Sequence, residues 1–570
     1  MAIEIMVNIS RRNFLKSVGL AITPVMVSRT PLACCTPPPC FLAMDLAIPN
    51  GKARTGVLDQ LESILKPDSF KHYVNYFNTM EDENVVNLIS NAQSWLWMKS
   101  NIPLFECPDK AFEEIYYYRW WTYRKHIKQT PDGFVLTEFI LPVKHAGKYN
   151  TISCPLGHHI REGRWLHNQK YLKDYVMFWF RKSEVLGTPY GGLRRKASCG
   201  LTENDGAAQS HLHQYSGWYV DSLYHLYLVH QDKKFLVELL PDIVCDYEKW
   251  EKENLLDSGL FWQHDVRDGM EESISGSRRA KNIRPTINSY MYANARAISK
   301  IAEMAGKTDL STEYANKAAK LKSLFQKMLW DDKSKFFKVR LENGELSDAH
   351  EAIGFIPWYF NLPEAGYEQA WAQLIDPEGF WAPYGITTAE RRHPKFRSHG
   401  VGTCEWDGAV WPFATSQTLV AMANLLNNYE QSYVTKDDYF NALKTYAKSQ
   451  HKTGKPYIGE YLDEKTGCWL KGNSERSRYY NHSTFCDLVI TGLAGLRPRD
   501  DKIIEVSPLL PSDGWDWFCL DKILYHGRFI TILWDKTGDK YGKGSGLRIY
   551  ANNKEIVSSD TCERVIGHLP

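Results

Sequence analysis

The chain has 570 residues, 43% hydrophobic and 13% aromatic, with Lys plus Arg (69) against Asp plus Glu (67) for a formal charge of +2. This composition excludes a disordered, collagen-like or small disulfide-stapled chain, and it supplies enough apolar mass for a sizeable core. The near balance of charge argues against a dedicated nucleic-acid binder, which needs a basic surplus to meet phosphates.

The first residues read as an address. Ser10-Arg11-Arg12-Asn13-Phe14-Leu15-Lys16 precedes an apolar run from Val18 to Val27. Paired arginines, Phe-Leu-Lys and a short apolar region have the layout of a bacterial twin-arginine export signal, so a periplasmic or extracellular protein is expected. The run is too short to span a bilayer, and Pro24 interrupts it. Leu32-Ala33-Cys34 also offers a lipoprotein-type box that would anchor the chain through Cys34, although Pro31 stands where an aliphatic residue is usual. Residues 1–35 are read as signal and 36–54 as linker. No later stretch is long and apolar enough for a transmembrane helix. Three of the twelve cysteines (Cys34, Cys35, Cys40) lie in or beside the signal; the rest are scattered without CxxC or paired Cys/His spacing. No zinc site is expected, and a disulfide or two would suit an exported protein.

From 55 to 500 the apolar spacing is mainly helical. Amphipathic helices are predicted over 57–65, 84–98, 174–181, 218–230, 236–254, 285–305, 310–329, 411–427, 437–448 and 484–496. Helix–loop–helix pairs recur along this stretch, and roughly a dozen helices would suffice for an (α/α)6 toroid. After Arg497-Pro498-Arg499 the pattern changes. Short β-branched and aromatic runs at 503–506, 517–520, 524–525, 529–534, 547–550 and 555–557 alternate with Asp513-Gly514, His526-Gly527, Thr537-Gly538 and Asn552-Asn553. They predict a small antiparallel β-module over 501–570, in the form of a sandwich.

Three segments concentrate chemistry. The first runs from Asp257 to Ile274 and contains Trp262, Asp265, Arg267, Asp268, Glu271 and Glu272. The second is Cys404-Glu405-Trp406-Asp407-Gly408-Ala409-Val410-Trp411-Pro412. The third is Gly459-Glu460-Tyr461-Leu462-Asp463-Glu464-Lys465-Thr466-Gly467, followed by Tyr480-Asn481-His482. Glycosidic-bond cleavage needs a protonated carboxyl for the leaving oxygen and an ionised one for water or the anomeric carbon. Burial against aromatic walls raises the acid's pKa, and flat rings also receive sugar faces. Trp120, Trp121, Arg164, Trp165, Trp381, Trp406 and Trp411 are candidate walls and hydroxyl contacts, with core packing the alternative for about half of the aromatic ones. His158-His159 and His211-Leu212-His213 lack metal-ligand spacing, so no metal or other cofactor is expected. Gly538–Lys543 is one residue short of a P-loop and reads as a hairpin turn.

These residues resemble the clan of (α/α)6 six-hairpin glycosidases that includes trehalase, glycoside hydrolase family 63 and mannosylglycerate hydrolase. Gly269-Met270-Glu271-Glu272-Ser273 is similar to the clan's acid element, Gly408-Ala409-Val410-Trp411-Pro412 to its Gly-Pro-x-Trp-Pro element, and Gly459–Gly467 to its base element. They occur in the family's order within residues 100–500. The resemblance implies an inverting glycoside hydrolase of oligo- or polysaccharides, with Glu271 as general acid and Glu460 as general base across a sugar-sized cavity; exo action is expected from the long loops, which could close a pocket. Trp262, Asp265, Arg267, Asp407, Tyr461 and His482 join the walls as substrate contacts. The clan's acid is usually Asp, which leaves Asp268 as a rival to Glu271. Tyr461 follows Glu460 directly, departing from the base spacing, so Glu464 and Glu405 remain lesser base candidates. A polysaccharide lyase on a similar toroid is the alternative, with Arg119, Arg124, His159 and Tyr480 dominating its cleft; a non-catalytic carbohydrate-binding protein is the third reading.

Overall fold

A computed structural model describes residues 63–183, 212–471 and 474–570, with backbone alone at 185–186 and 208–209. The export signal, the Cys34 box and the linker lie outside the described residues, as does His211.

In chain order the longer helices are α1 (Lys71–Thr79), α2 (Ser94–Asn101), α3 (Lys110–Lys125), α4 (Leu156–Gly163), α5 (Lys170–Arg181), α6 (Tyr219–His230), α7 (Leu240–Asn254), α8 (Pro285–Met304), α9 (Thr308–Leu329), α10 (Pro412–Asn428) and α11 (Lys436–Ser449). Local chemistry starts and stops them. Asp109 caps α3 by accepting from the Phe112 amide, and Thr435 with Asp438 forms a capping box on α11. Pro285 and Pro412 open α8 and α10, where a missing N–H costs nothing. The predicted helices over 218–230, 285–305, 310–329, 411–427 and 437–448 all form within two residues of their expected ends.

Elsewhere the helical expectation needs correction. The span 236–254 breaks at Leu239, because Pro241 restarts a new helix. The span 84–98 yields only α2, and 484–496 becomes a short turn, Cys486–Leu488, running into π-helical Val489–Leu493. Helices α1, α3 and α4 have no counterpart among the predicted spans. In α3 nearly every residue from Phe112 to Lys125 is buried, so the polar face that would reveal a helical period is missing. Among the described residues no helix is long and apolar enough to cross a membrane. Cys245 is disulfide-bonded, and the other described cysteines are free thiols.

The C-terminal strands fall close to their predicted positions. β1 (Leu104–Glu106) is the exception, contributed from far upstream. It edges a five-stranded antiparallel sheet whose other strands are Trp517–Tyr525, Arg528–Asp535, Gly546–Ala551 and Lys554–Ser559, in that order. A three-stranded sheet joins Leu496–Arg497, Ile503–Val506 and Val565–His568. His526-Gly527 and Asn552-Asn553 close two-residue hairpins with both residues at positive φ, the turn that matches strand twist. Buried Asp521 in this sheet accepts from the Ser63 hydroxyl (2.7 Å), the Leu65 amide (3.0 Å) and the Thr531 hydroxyl (2.6 Å), tying the start of the described chain to its end.

One feature of the helical region positions the site. The segments that lead into α4, α6, α8, α10 and the Cys486 turn, which carry Cys154, Tyr215, Glu271, Cys404 and Tyr480 respectively, share one electrostatic neighbourhood.

Candidate active site

The loop before α8 is held at its base by bridges Leu255↔Phe261 and Trp262↔Ile283. Asp268 bolts it to the helix. Its carboxylate accepts from Arg284 Nε (2.6 Å), the Ser216 hydroxyl (2.5 Å) and the Thr286 hydroxyl, and both ions of the pair are fully buried. The carboxylate of this rival acid is thus held by three protein donors. Gly269 then takes φ 68°, where a Cβ would stand 2.5 Å from Cys154 Sγ. Glu272 takes φ 71°. This turn sends two adjacent carboxylates to different fates. Glu272 accepts from the amides of Thr403, Cys404 and Glu405 and from Arg397. These bonds outweigh its partial burial and hold its pKa down to about 2. Glu271 goes inward. Burial, with the neighbouring charges of Asp265 and Glu460, pushes its carboxyl up to about 7, against partial relief from a backbone hydrogen bond and Arg278.

Glu460 stands among donors instead. Its carboxylate accepts from Lys471 Nζ (3.2 Å) and Ser477 Oγ (3.0 Å), with Arg476 at 3.6 Å. The 403–411 segment joins the two loops. Glu272 grips its backbone on one side, and on the other the Tyr461 hydroxyl donates to Thr403 O (3.0 Å). Trp406, Trp411 and Tyr461 stack in series, with ring centroids 4.4 and 4.7 Å apart, and His482 lies 5.9 Å from Trp411. Trp406 Nε1, His482 Nε2 and Asp407 Oδ1 are buried without a protein partner among the described residues. Buried polar atoms seldom remain so, and hydroxyl-bearing ligands or water suit them. Glu272 and Glu405 both hold positive φ beside this wall, a backbone cost of about 1–2 kcal/mol each that concentrates where chemistry is placed.

A third carboxyl joins them that no motif announces. Glu138 is buried, hydrogen-bonded to the Tyr480 hydroxyl, and pushed up to about 8 by burial, with the charges of Glu460 and Glu271 adding. Its backbone carbonyl accepts from the Asn481 amide (3.0 Å), and His482 Nδ1 lies 4.0 Å from its carboxyl. Burial beside other cationic and imidazole groups holds His482 well below the usual imidazole value, so the ring is neutral. Glu138 sits in Leu136-Thr137-Glu138-Phe139, and only the fold brings it to Tyr480.

The remaining expected residues divide sharply. Asp265 adjoins Glu271. Arg397 takes up Asp407 through its Nε. Glu405 accepts from the Gly400 and Gly402 amides (3.0 and 2.7 Å) and so closes its own loop. Arg267 donates to His213 O (2.8 Å) and Gln214 O (3.3 Å) and lies over Trp250. Trp262 packs on His264 beneath Lys281, and Trp381 sits in a short hairpin with Ile386; neither is tied to the carboxyl cluster. Trp120, Trp121, Arg164 and Trp165 correct the sequence reading: all four are buried in the core. Trp121 donates to Asn78 (2.8 Å), while Arg164 and Trp165 both donate to Asp487 (2.7 Å each). The arginines and histidine of the lyase reading are likewise committed. Arg119 binds Tyr446, Gln450 and Ser483; Arg124 binds Ile89 O and Asn91; His159 meets Tyr175 (2.9 Å) and Asn481 O (2.6 Å).

Among the described residues one group has metal-ligand proximity: His399, Asp463 and Glu464 bring an imidazole and two carboxylates within 4.8 Å. Asp463 already accepts from His399 (2.7 Å) and from the Lys465 and Thr466 amides (3.0 and 2.8 Å), which accounts for the Asp-x-x-Thr-Gly turn.

Comparison with known proteins follows the same outline. Residues 148–483, more than half of the chain, match the mannosylglycerate hydrolase MGH1-like glycoside hydrolase domain. Residues 496–558 match the C-terminal domain of glycosyl hydrolase family 65. A solved structure named sialidase is 51% identical with a TM-score of 0.82, covering 88% of this chain but 45% of its own. The family 63 mannosylglycerate hydrolase from Thermus thermophilus, in complex with glucose, is 14% identical with a TM-score of 0.47, over 66% of this chain and 99% of its own. A Borreliella burgdorferi protein, described only as uncharacterized, is 28% identical over 192 residues, 33% of this chain and 39% of that protein. The chain therefore spans less than half the length of the sialidase-named and Borreliella relatives.

Proposed function

The chain belongs to the mannosylglycerate hydrolase MGH1-like glycoside hydrolase family, and from that premise we propose that it is a glycoside hydrolase, inverting and exo-acting, in which Glu271 is the general acid and Glu460 the general base. Glu271 protonates the departing glycosidic oxygen as the bond from the anomeric carbon breaks. Glu460 accepts a proton from the water that attacks that carbon from the opposite face, so the product is inverted. The observation that carries this reading is the asymmetry of two neighbouring carboxyls. Glu271 is partly buried and raised to about 7, while Glu460 is buried and ion-paired with Lys471. Buried polar atoms at Trp406, Asp407 and His482 without a protein partner among the described residues support a hydroxyl-bearing substrate. Glu138, raised to about 8, then serves as a neutral hydroxyl-binding group beside them.

The (α/α)6 arrangement, action at chain ends of oligo- or polysaccharides, export by the Arg11-Arg12 signal and anchoring at Cys34 belong to the same proposal. The helical hairpins before residue 500 support the first, the long loops around Glu271 and Glu460 the second, and Ser10–Lys16 with the Leu32-Ala33-Cys34 box the last two. The test is a screen of aryl glycosides and plant or algal glycans with wild type, Glu271→Gln and Glu460→Gln. Reducing-sugar release from the glycans is expected to be lost in both variants, with the opposite anomer formed first by wild type. Full activity in both variants, or an unsaturated product, contradicts the assignment.

A further inference from the structure

A cavity of about 680 Å³ lies between the end of α4, the face of α6 from Asp221 to Leu228, the middle of α8 and α9, and the C-terminal half of α10. The carboxyl cluster sits where the chain leads into α4, α6, α8 and α10. From Thr286, which binds Asp268, to Arg296 in this cavity is ten residues of α8, or roughly 15 Å along its axis. None of the catalytic groups lines it.

Its charge is one-sided. Arg161, Arg164, Arg296, Arg497 and two lysines face Asp221 and Asp487, the only carboxylates among the described residues of its lining. Two of the arginines are balanced: Arg161 donates to Asp221 (2.7 Å) and Arg164 to Asp487 (2.7 Å). Such pairs, near helix C-termini, suffice to pack a floor. Arg296 and Arg497 exceed that need. Among the described residues neither makes an ion pair; Arg296 donates to the Phe360 carbonyl (2.9 Å), and Arg497 reaches only Asn424, at 3.5 Å. Arg161 Nε is buried with no partner among the described residues. Tyr359 and Tyr292 lie against the guanidinium groups of Arg161 and Arg296 (5.2 and 5.5 Å) and fix their planes. Planar forks with unused donors match phosphate and carboxylate oxygens, and the volume is in the range of small-molecule sites.

We propose that this cavity binds a small polyanion, carrying phosphate or clustered carboxylate groups on a body no larger than a sugar, independently of the hydrolytic site. Isothermal titration of the full chain with pyrophosphate and with citrate, at matched ionic strength, tests it. One of the two binds wild type with one-to-one stoichiometry, and which one names the anion source. Arg497→Gln and the solvent-facing Arg296→Gln each weaken binding at least fivefold without changing the rate of glycoside hydrolysis, while Glu460→Gln leaves binding intact. Absence of binding by both probes, unchanged affinity in the two arginine variants, or loss of binding in Glu460→Gln overturns the proposal.

Discussion

The loop that carries Glu271 and the loop that carries Glu460 deliver the same functional group into one neighbourhood with opposite surroundings. The first withdraws help: Glu271 has Asp265 beside it, burial around it and no ion-pair partner among the described residues, while the nearby strong donors are spent on Asp268 and Glu272. The second supplies help through Lys471, Ser477 and Arg476. Identical side chains are thereby given different protonation tasks, and the assignment of roles comes from neighbours rather than from residue type.

Breaking each loop in turn should separate these tasks. Glu460→Gln is expected to reduce kcat/KM about a thousandfold or more for every substrate, because no leaving group removes the need to activate water. Glu271→Gln should lose as much with sugar leaving groups but far less with an activated aryl leaving group, which needs little protonation; comparing the two substrate types on both variants measures the contrast. Asp268→Asn should act on the fold instead. It leaves Arg284 buried beside a neutral partner, and a cost of about 3–5 kcal/mol is expected in urea unfolding. Glu272→Gln should be milder, about 1–3 kcal/mol after allowance for its partial exposure. Its folded pKa, about 2, lies below the ordinary carboxylate value. Its stabilisation is therefore full above roughly pH 4.5 and lost as pH falls toward 2, and the variant should flatten that part of the stability curve. Glu138→Gln, which imitates the protonated form, should change kcat/KM by less than about tenfold.

Much of this is legible in the chain and some is not, for physical reasons. Helices α9 and α11 have one wet face each, so their period shows; α8 and α10 are almost as dry as α3, but Pro285 and Pro412 mark where they open, and the β-module announces itself through His526-Gly527 and Asn552-Asn553. Helix α3 is dry all round; without a period, Trp120 and Trp121 look like sugar platforms when they are core. Glu271 and Glu460 stand in motifs, whereas Glu138 has none. Asp268 and Glu271 are equally plausible acids on paper. Only the buried Arg284, in sequence an ordinary residue before Pro285, separates them.

The pH dependence of kcat/KM, measured on wild type and Glu271→Gln with a weakly activated aryl glycoside whose leaving oxygen still needs a proton, tests the assignment of the acid most directly. A group that must hold its proton and titrates near 7 gives a rate that declines as pH rises through about 7. The account predicts this decline in wild type and its disappearance in Glu271→Gln. A decline that persists unchanged in the variant would show that another group donates the proton.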